Sequence, residues 1–347
     1  MSWYNSNEST NPHILWSRVR YMRSLDALPF SRSQSDETER EYEARDEELE
    51  RIMNANGFHK HMLSKSGDVD ALSLLEKQFV NAAFARSDVE RALYFNEPCS
   101  LAIFTGAECY VTIQALLGGA ALFEAHKIAS EAEEMLDREF SFAYSDKLGY
   151  LCSDIALCGS GIELSCALYL PSARHGSRSQ EIRNLTDAFG ASISPFFSRY
   201  DNAGDIYVVT YRPPFACNEL DEVTAFSRFI DRLVEKERVQ ARIIFASKST
   251  LIIDKAYRAL GTLASARMID EEEMASLLSR IRLALCLDDT NHDAPINDVS
   301  FINTLFSESL NASVISGAGG VCSSFDECRA LRAKRINALC REKLLNP

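Results

Sequence analysis

The chain has 347 residues, 46% hydrophobic and 25% charged, a globular balance long enough for two packed domains. Its formal net charge of −13 argues against charge-driven binding to nucleic acid or to an anionic membrane surface. The N-terminus MSWYNSNESTNPH lacks the apolar stretch of a secretory signal, and nowhere do 18 apolar residues run consecutively, so the expected location is cytoplasmic, with no membrane span.

In chain order, HILWSRVRYMRSLDALPF is an apolar, arginine-rich run closed by a proline. Residues Ser31 to Glu50, rich in Glu and Arg, read as a solvated helix laced with ion pairs. Over 69–95 the apolar positions Val69, Leu72, Leu75, Phe79 and Val80 have helical spacing. LAIFT and CYVTIQ, separated by GAE, suggest a β-hairpin, and a helix follows from about Ala120 to Arg138. IELSCALYL is a further apolar stretch, and GDIYVVTY is a strand stopped by Pro213 and Pro214.

From Glu219 the pattern is helical: a long segment ending near residue 247, then helices at 249–263, 270–286, 297–310 and 325–345. Asp270 with Glu273 three residues on opens one of them as a capping box. The expected class is α+β, an antiparallel sheet with flanking helices over 1–245 followed by an all-helical part over 246–347. The ten cysteines include no C-x-x-C pair, no metal site is expected, and Cys152, Cys158 and Cys166 in their apolar surroundings read as buried reduced thiols. His59 and His61 lack a partner for metal binding, and SGAGG lacks the Lys-Ser/Thr of a P-loop and reads as a connector.

Several segments, in order, resemble the bacterial protein-arginine kinases of the ATP:guanido phosphotransferase (phosphagen kinase) superfamily. LWSRVRYMRSL is similar to that family's S-S-R-I-R-L-A-R-N start. LGYLCSDIALCGSGIELSCALYLPSA is similar to L-G-Y-L-T-x-C-P-T-N-V-G-T-G-L-R-A-S, and GDIYVVTYRPPFACNELDEV to G-N-I-Y-Q-I-S-N-Q-x-T-L-G-x-S-E-x-E. DKAYRALGTLASARMIDEEEMASLLSRIRLALCL resembles the helical domain of these kinases, and DECRALRAKRINALC its terminal R-D-x-x-R-A helix. The resemblance implies a phosphagen-kinase-like (glutamine-synthetase-like) sheet domain and a helical dimerisation or regulatory domain.

It also implies a site. Moving the γ-phosphoryl group of MgATP onto an arginine needs cations for the phosphates and a carboxylate base. Ser17, Arg18 and Arg20 match the first phosphate-binding segment, Gly159, Ser160 and Gly161 the small-residue loop, and Glu108 the base. Taken without the resemblance, the arginines could be surface residues and the Gly-Ser-Gly a structural turn. Other matched positions are substituted: Glu163 and Thr112 stand where the family has arginines, Ala83 where it has a histidine, Asp154 a cysteine and Leu157 an asparagine. In the loop like R-G-x-Y-G-E, Ile193 replaces the arginine and Ser198 the glutamate, with Arg199 nearby as a substitute. Arg329 and Arg332, at i,i+3 in the last helix, are candidates for a regulatory anion site, the family's phosphoarginine pocket.

An arginine-to-glutamate change in a phosphate cradle removes roughly 4 kcal/mol of attraction per charge pair at an effective dielectric near 20. The leading expectation is therefore a pseudokinase with a regulatory or partner-binding role and no cofactor, in which Asp154, Glu108 and Glu163 form an acidic pocket for a guanidinium. The alternatives are an active divergent kinase using MgATP, with Arg18, Arg20 and Arg199 on the phosphates, and a structural or assembly protein. The partner is expected to be a protein, through an arginine side chain, with the chain itself a homodimer or paired with an active relative.

Overall fold

The structure, a computed structural model, describes residues 3–5, 11–30, 36–63, 68–86, 91–96, 99–106, 109–174, 176–197, 202–215, 217–287, 294–320 and 322–345. The strands are β1 (Ile14–Arg23), β2 (His59–Leu63), β3 (Arg91–Phe95), β4 (Leu101–Thr105), β5 (Val111–Gly118), β6 (Tyr144–Ser145), β7 (Gly149–Tyr150), β8 (Ile162–Tyr169), β9 (Ser192–Pro195) and β10 (Ile206–Tyr211). The helices are α1 (Asp36–Ala55), α2 (Val69–Glu76), α3 (Ala82–Ala85), α4 (Leu122–Asp137), α5 (Gly176–Phe189), α6 (Glu219–Ser265), α7 (Glu271–Cys286), α8 (Val299–Glu308), α9 (Asn311–Gly317) and α10 (Phe325–Leu345).

Among the described residues, eight strands form one antiparallel sheet in the order β2-β3-β4-β5-β1-β8-β10-β9, and β6 and β7 form a separate hairpin. The apolar, arginine-rich run is the central strand β1, and every residue in it is buried. Alternation along β1 sends Ser17, Val19 and Tyr21 to one face and Trp16, Arg18, Arg20 and Met22 to the other. Val19 and Tyr21 join Ile113, Leu164, Val209 and the apolar stripes of α4 and α6 in the largest core cluster. That defines the back of the sheet.

The front is divided into zones. At one end Trp16, Leu116 and Ala167 pack with Met274, Leu278, Leu305, Phe306 and Ile336 from the C-terminal helices. Beside them α2 and α3 cover Leu93 and Phe104. At the far end Met22 packs with Cys109, Cys152 and Leu157. Arg18 and Arg20 lie between these apolar zones.

The expected hairpin is β4 against β5, and the helix after it is α4. Helix α6 runs 47 residues with non-helical dihedrals at Lys248, at the break expected between two helices. Asp270 caps α7 by accepting from the Glu273 backbone N–H at 2.7 Å. A boundary at 245/246 falls inside α6, which passes from the back of the sheet into the cluster shared with the C-terminal helices.

Two expectations are corrected. The helix over 69–95 is three elements, because Gln78 takes a left-handed φ of +65° that ends α2, and the segment continues through α3 into β3. Cys152 is not a reduced thiol but is disulfide-bonded to Cys109, with their Cα atoms 5.8 Å apart, whereas Cys166 is free and buried and Cys158 is free but only half-buried. The pairing brings together residues 43 apart in sequence, a proximity that local pattern does not reveal.

Candidate active site

The front of the sheet carries a row of charges assembled from three adjacent strands. β1 supplies Arg18 and Arg20, β8 supplies Glu163 opposite Arg20, and β10 ends just before Arg212. Arg20 Nη1 donates to Glu163 Oε1 at 3.1 Å, and Arg212 Nη2 donates to Glu163 Oε2 at 2.9 Å. Arg18 Nη2 lies 3.6 Å from Glu163 Oε1 and donates to Ser165 Oγ at 3.3 Å. Arg18, Arg20 and Glu163 are 5%, 7% and 6% exposed, so the row is shielded from water except at Arg212.

Two glutamines fasten the row to the turn after α2. Arg20 Nε donates to Gln114 Oε1 at 2.6 Å, and Gln114 Nε2 donates to the carbonyls of Gln78 and Phe79, both at 2.9 Å. Gln78 Oε1 in turn accepts from Arg18 Nη1 at 3.1 Å.

The electrostatics follow from burial and charge. Burial drives the Glu163 carboxyl up, but Arg20, Arg18 and Arg212 outweigh it and hold it below the ordinary carboxylate range. Burial first, and then the neighbouring Arg20, pull Arg18 down to about 9, against the opposing pull of Glu163. Glu163 is thus an ionised carboxylate seated among guanidiniums. Among the described residues, the row sets three guanidiniums against one carboxylate.

The structure separates the residues that the sequence grouped. Arg18 and Arg20 face the row. Ser17 points to the back, where its Oγ donates to the Gly119 carbonyl at 2.7 Å and accepts from Ala121 N–H at 3.1 Å, tethering the turn before α4. Gly159, Ser160 and Gly161 form a turn bonded to neighbouring segments. Ser160 Oγ donates to the Pro213 carbonyl at 2.9 Å, and the Gly161 carbonyl accepts from Arg23 at 3.1 Å. Gly161 has φ +61°, and a Cβ there would collide with the Arg23 guanidinium.

The expected acidic pocket does not form from Asp154 and Glu163. Asp154 is exposed and its Oδ1 accepts from Ala156 N–H at 2.9 Å, capping the short helix Ile155–Leu157, while both oxygens of Glu163 are engaged by arginines. Ile193 pairs with Val209 and so packs toward the back of the sheet, away from the row. Thr112 is buried beside Met22 in register, and its hydroxyl has no hydrogen-bond partner. Leu157 fills the cluster with Met22, and Ala83 is half-buried on α3. Glu108, Ser198 and Arg199 lie outside the described residues.

Arg332 and Arg329 have different surroundings. Arg332 is 1% exposed, and its Nε and Nη1 donate to the carbonyls of Ser309 and Ile269 at 2.8 and 3.0 Å, while Nη2 donates to Asn311 Oδ1. Its donors close chain ends inside the helical part. Arg329 is half-buried and pairs with Asp326 at 3.4 Å.

Arg212 is the residue that sequence reasoning missed. The signal was present: period-two alternation along Val208, Thr210 and Arg212 puts this side chain on the front face, and Thr210 pairs with Ser165 next to Glu163.

Residues 42–240 match the family described as ATP:guanido phosphotransferase, C-terminal catalytic domain, and residues 249–342 match the protein-arginine kinase McsB C-terminal domain. The protein-arginine kinase of Symbiobacterium thermophilum is 27% identical over 289 residues, covering 81% of this chain and 82% of that one. That of Clostridium tetani is 23% identical over 290 residues, covering 83% and 84%. Among solved structures, the duplicated taurocyamine kinase from Schistosoma mansoni superposes with a TM-score of 0.58 at 14% identity, covering 79% of this chain. The chain spans 46% of that duplicated protein, and the likeness shows the phosphagen-kinase fold.

Proposed function

The chain belongs to the ATP:guanido phosphotransferase family, with the protein-arginine kinases as its relatives, and from that premise we propose that it is a member impaired in phosphoryl transfer. The observation that carries this reading is the Glu163 carboxylate held by Arg20, Arg212 and Arg18. A triphosphate entering this row must displace it. Breaking a buried pair leaves an uncompensated charge, which costs about 3–5 kcal/mol, or roughly two to four orders of magnitude in affinity.

In this reading the retained fold serves a partner: a protein presenting an arginine side chain, an active relative, or a second copy. The rim supports it. Ile155 is 87% exposed on the same short helix as Leu157, and Leu148 is 59% exposed on the β6–β7 hairpin, both apolar and available to a protein surface.

The three guanidiniums of the row favour a second reading, and so do the names of the aligned relatives. Here the chain is an active protein-arginine kinase. MgATP displaces Glu163, Arg18, Arg20 and Arg212 neutralise the phosphates, and Glu108 accepts the guanidinium proton.

Thermal shift with MgATP and MgADP, followed by phosphate transfer to an arginine-containing peptide, tests the choice. The first reading expects no stabilisation of the wild type at millimolar nucleotide and no transfer, with saturable nucleotide binding gained in Glu163→Gln. Stabilisation of the wild type by several degrees together with turnover overturns it in favour of the second.

A further inference from the structure

The one disulfide among the described residues sits in a sulfur-rich cluster apart from the arginine row. Cys109, just before β5, and Cys152, just after β7, are 5% and 8% exposed and pack with Met22 and Leu157, so their bond is shielded from solvent. A third cysteine, Cys158, is free, half-buried and packed against the same cluster. The Cys152 N–H donates to Cys158 Sγ at 3.4 Å, and that Sγ lies 3.6 Å from the Cys152 carbonyl oxygen.

The chain path accounts for this approach. Tyr150 and Gly159 exchange backbone hydrogen bonds at 2.8 and 3.1 Å as an antiparallel bridge, so residues 151–158 form a closed loop with Cys152 and Cys158 at its neck. An antiparallel neck brings facing Cα atoms to about 4.5–5.5 Å, inside the range that a disulfide spans. A rotamer change turns Cys158 Sγ toward Cys152 Sγ. The outer part of the loop, residues 153–156, is exposed, so Cys158 borders solvent whereas Cys109 does not.

We propose that Cys109, Cys152 and Cys158 form a thiol–disulfide exchange site, with Cys158 the thiol through which a dithiol in solution opens the shielded bond. The Cys158 thiolate attacks Cys152 Sγ. The Cys152–Cys158 bond forms, the Cys109–Cys152 bond breaks, and the Cys109 sulfur leaves with the electron pair and takes up the proton that Cys158 gave up. This step needs no oxidant or reductant. The dithiol then attacks the Cys158 sulfur of the new bond and closes to its own disulfide, delivering two electrons and two protons and leaving three protein thiols. The exchange trades a link across 43 positions, from the β4–β5 connection to the loop after β7, for one across 6. It thereby frees the chain at Cys109, next to Glu108. The site does not depend on whether the arginine row transfers phosphate.

Limited dithiothreitol treatment of the native full chain, quenched with iodoacetamide and mapped by peptide mass spectrometry, tests the site. Wild type is expected to pass through a species with Cys109 alkylated and Cys152 bonded to Cys158, before all three cysteines are alkylated. Cys158→Ser is expected to keep the Cys109–Cys152 bond and to lose it to dithiothreitol at least tenfold more slowly, with Cys158→Ala repeating the result. Cys322→Ser, which removes a half-buried thiol outside the cluster, should be reduced as wild type is. Equal reduction rates in wild type and both Cys158 variants overturn the proposal. So does reduction of wild type in which Cys109 and Cys152 are alkylated together with no Cys152–Cys158 species, and so does an untreated chain in which Cys109 and Cys152 carry no bond.

Discussion

Glu163 stands directly opposite Arg20 across the β1–β8 ladder, with its Oε1 3.1 Å from the Arg20 guanidinium, so the substituted position closes the cradle it would have helped to form. This relationship has a pH signature. The folded carboxyl is held below its ordinary value of 4.5, so the pair adds stability above that value and loses it as pH falls through the lower folded value. Urea unfolding of wild type from pH 6 to pH 3 should therefore show an acid limb that is shallower in Glu163→Gln. At neutral pH the variant should be less stable by about 3 kcal/mol, because the guanidiniums lose their buried counter-charge.

Arg332 holds two carbonyls and the Asn311 amide oxygen from a position 1% exposed. Arg332→Ala should lower unfolding free energy by more than about 3 kcal/mol, from unpaired acceptors at roughly 1–3 kcal/mol each. Arg332→Lys should recover only part, since an ammonium cannot reach in three planar directions. Arg329→Ala, beside an exposed Asp326, should stay within about 0.5 kcal/mol. Equal losses at the two positions would contradict the assignment of Arg332 to structure.

Glu76 links the front of the sheet to the helical part. Its carboxylate accepts from the backbone N–H groups of Ala312 and Ser313 at 2.8 and 2.9 Å, at the start of α9. Glu76→Ala should cost about 2 kcal/mol, the value of hydrogen bonds to a charged group net of its desolvation. Relative to wild type, amide hydrogen exchange in the variant should accelerate more at Ala312 and Ser313 than elsewhere in the chain.

The Cys109–Cys152 bond closes a loop of 43 residues. In the chain-entropy account this is worth about 4 kcal/mol, so Cys109→Ser should be less stable than wild type by up to that amount, with the difference abolished by a reductant. Thiol titration of the unfolded, unreduced chain should find the eight free cysteines, against ten after reduction.

The elements that local pattern controls are legible in the sequence. Alternation and β-branching mark β4, β5 and β10, the long helical run marks α6, and the Asp270 cap marks the start of α7. The segment 69–95 misleads because helical spacing continues through Gln78, and nothing local shows that the Gln78 backbone turns left-handed to meet Arg18 and Gln114. The order of family-like segments points to the fold, since many weak matches in sequence together constrain a topology.

Spacing also places Arg18 and Arg20 on one face, and the family resemblance shows a carboxylate, Glu163, in place of an arginine. Neither shows where that carboxylate points. Glu163 meets Arg20 across 143 positions and Arg212 across 49, contacts created by strand register rather than by neighbourhood in the chain. Periodicity is written in neighbouring residues, whereas charge pairing and burial depend on which distant strands lie side by side.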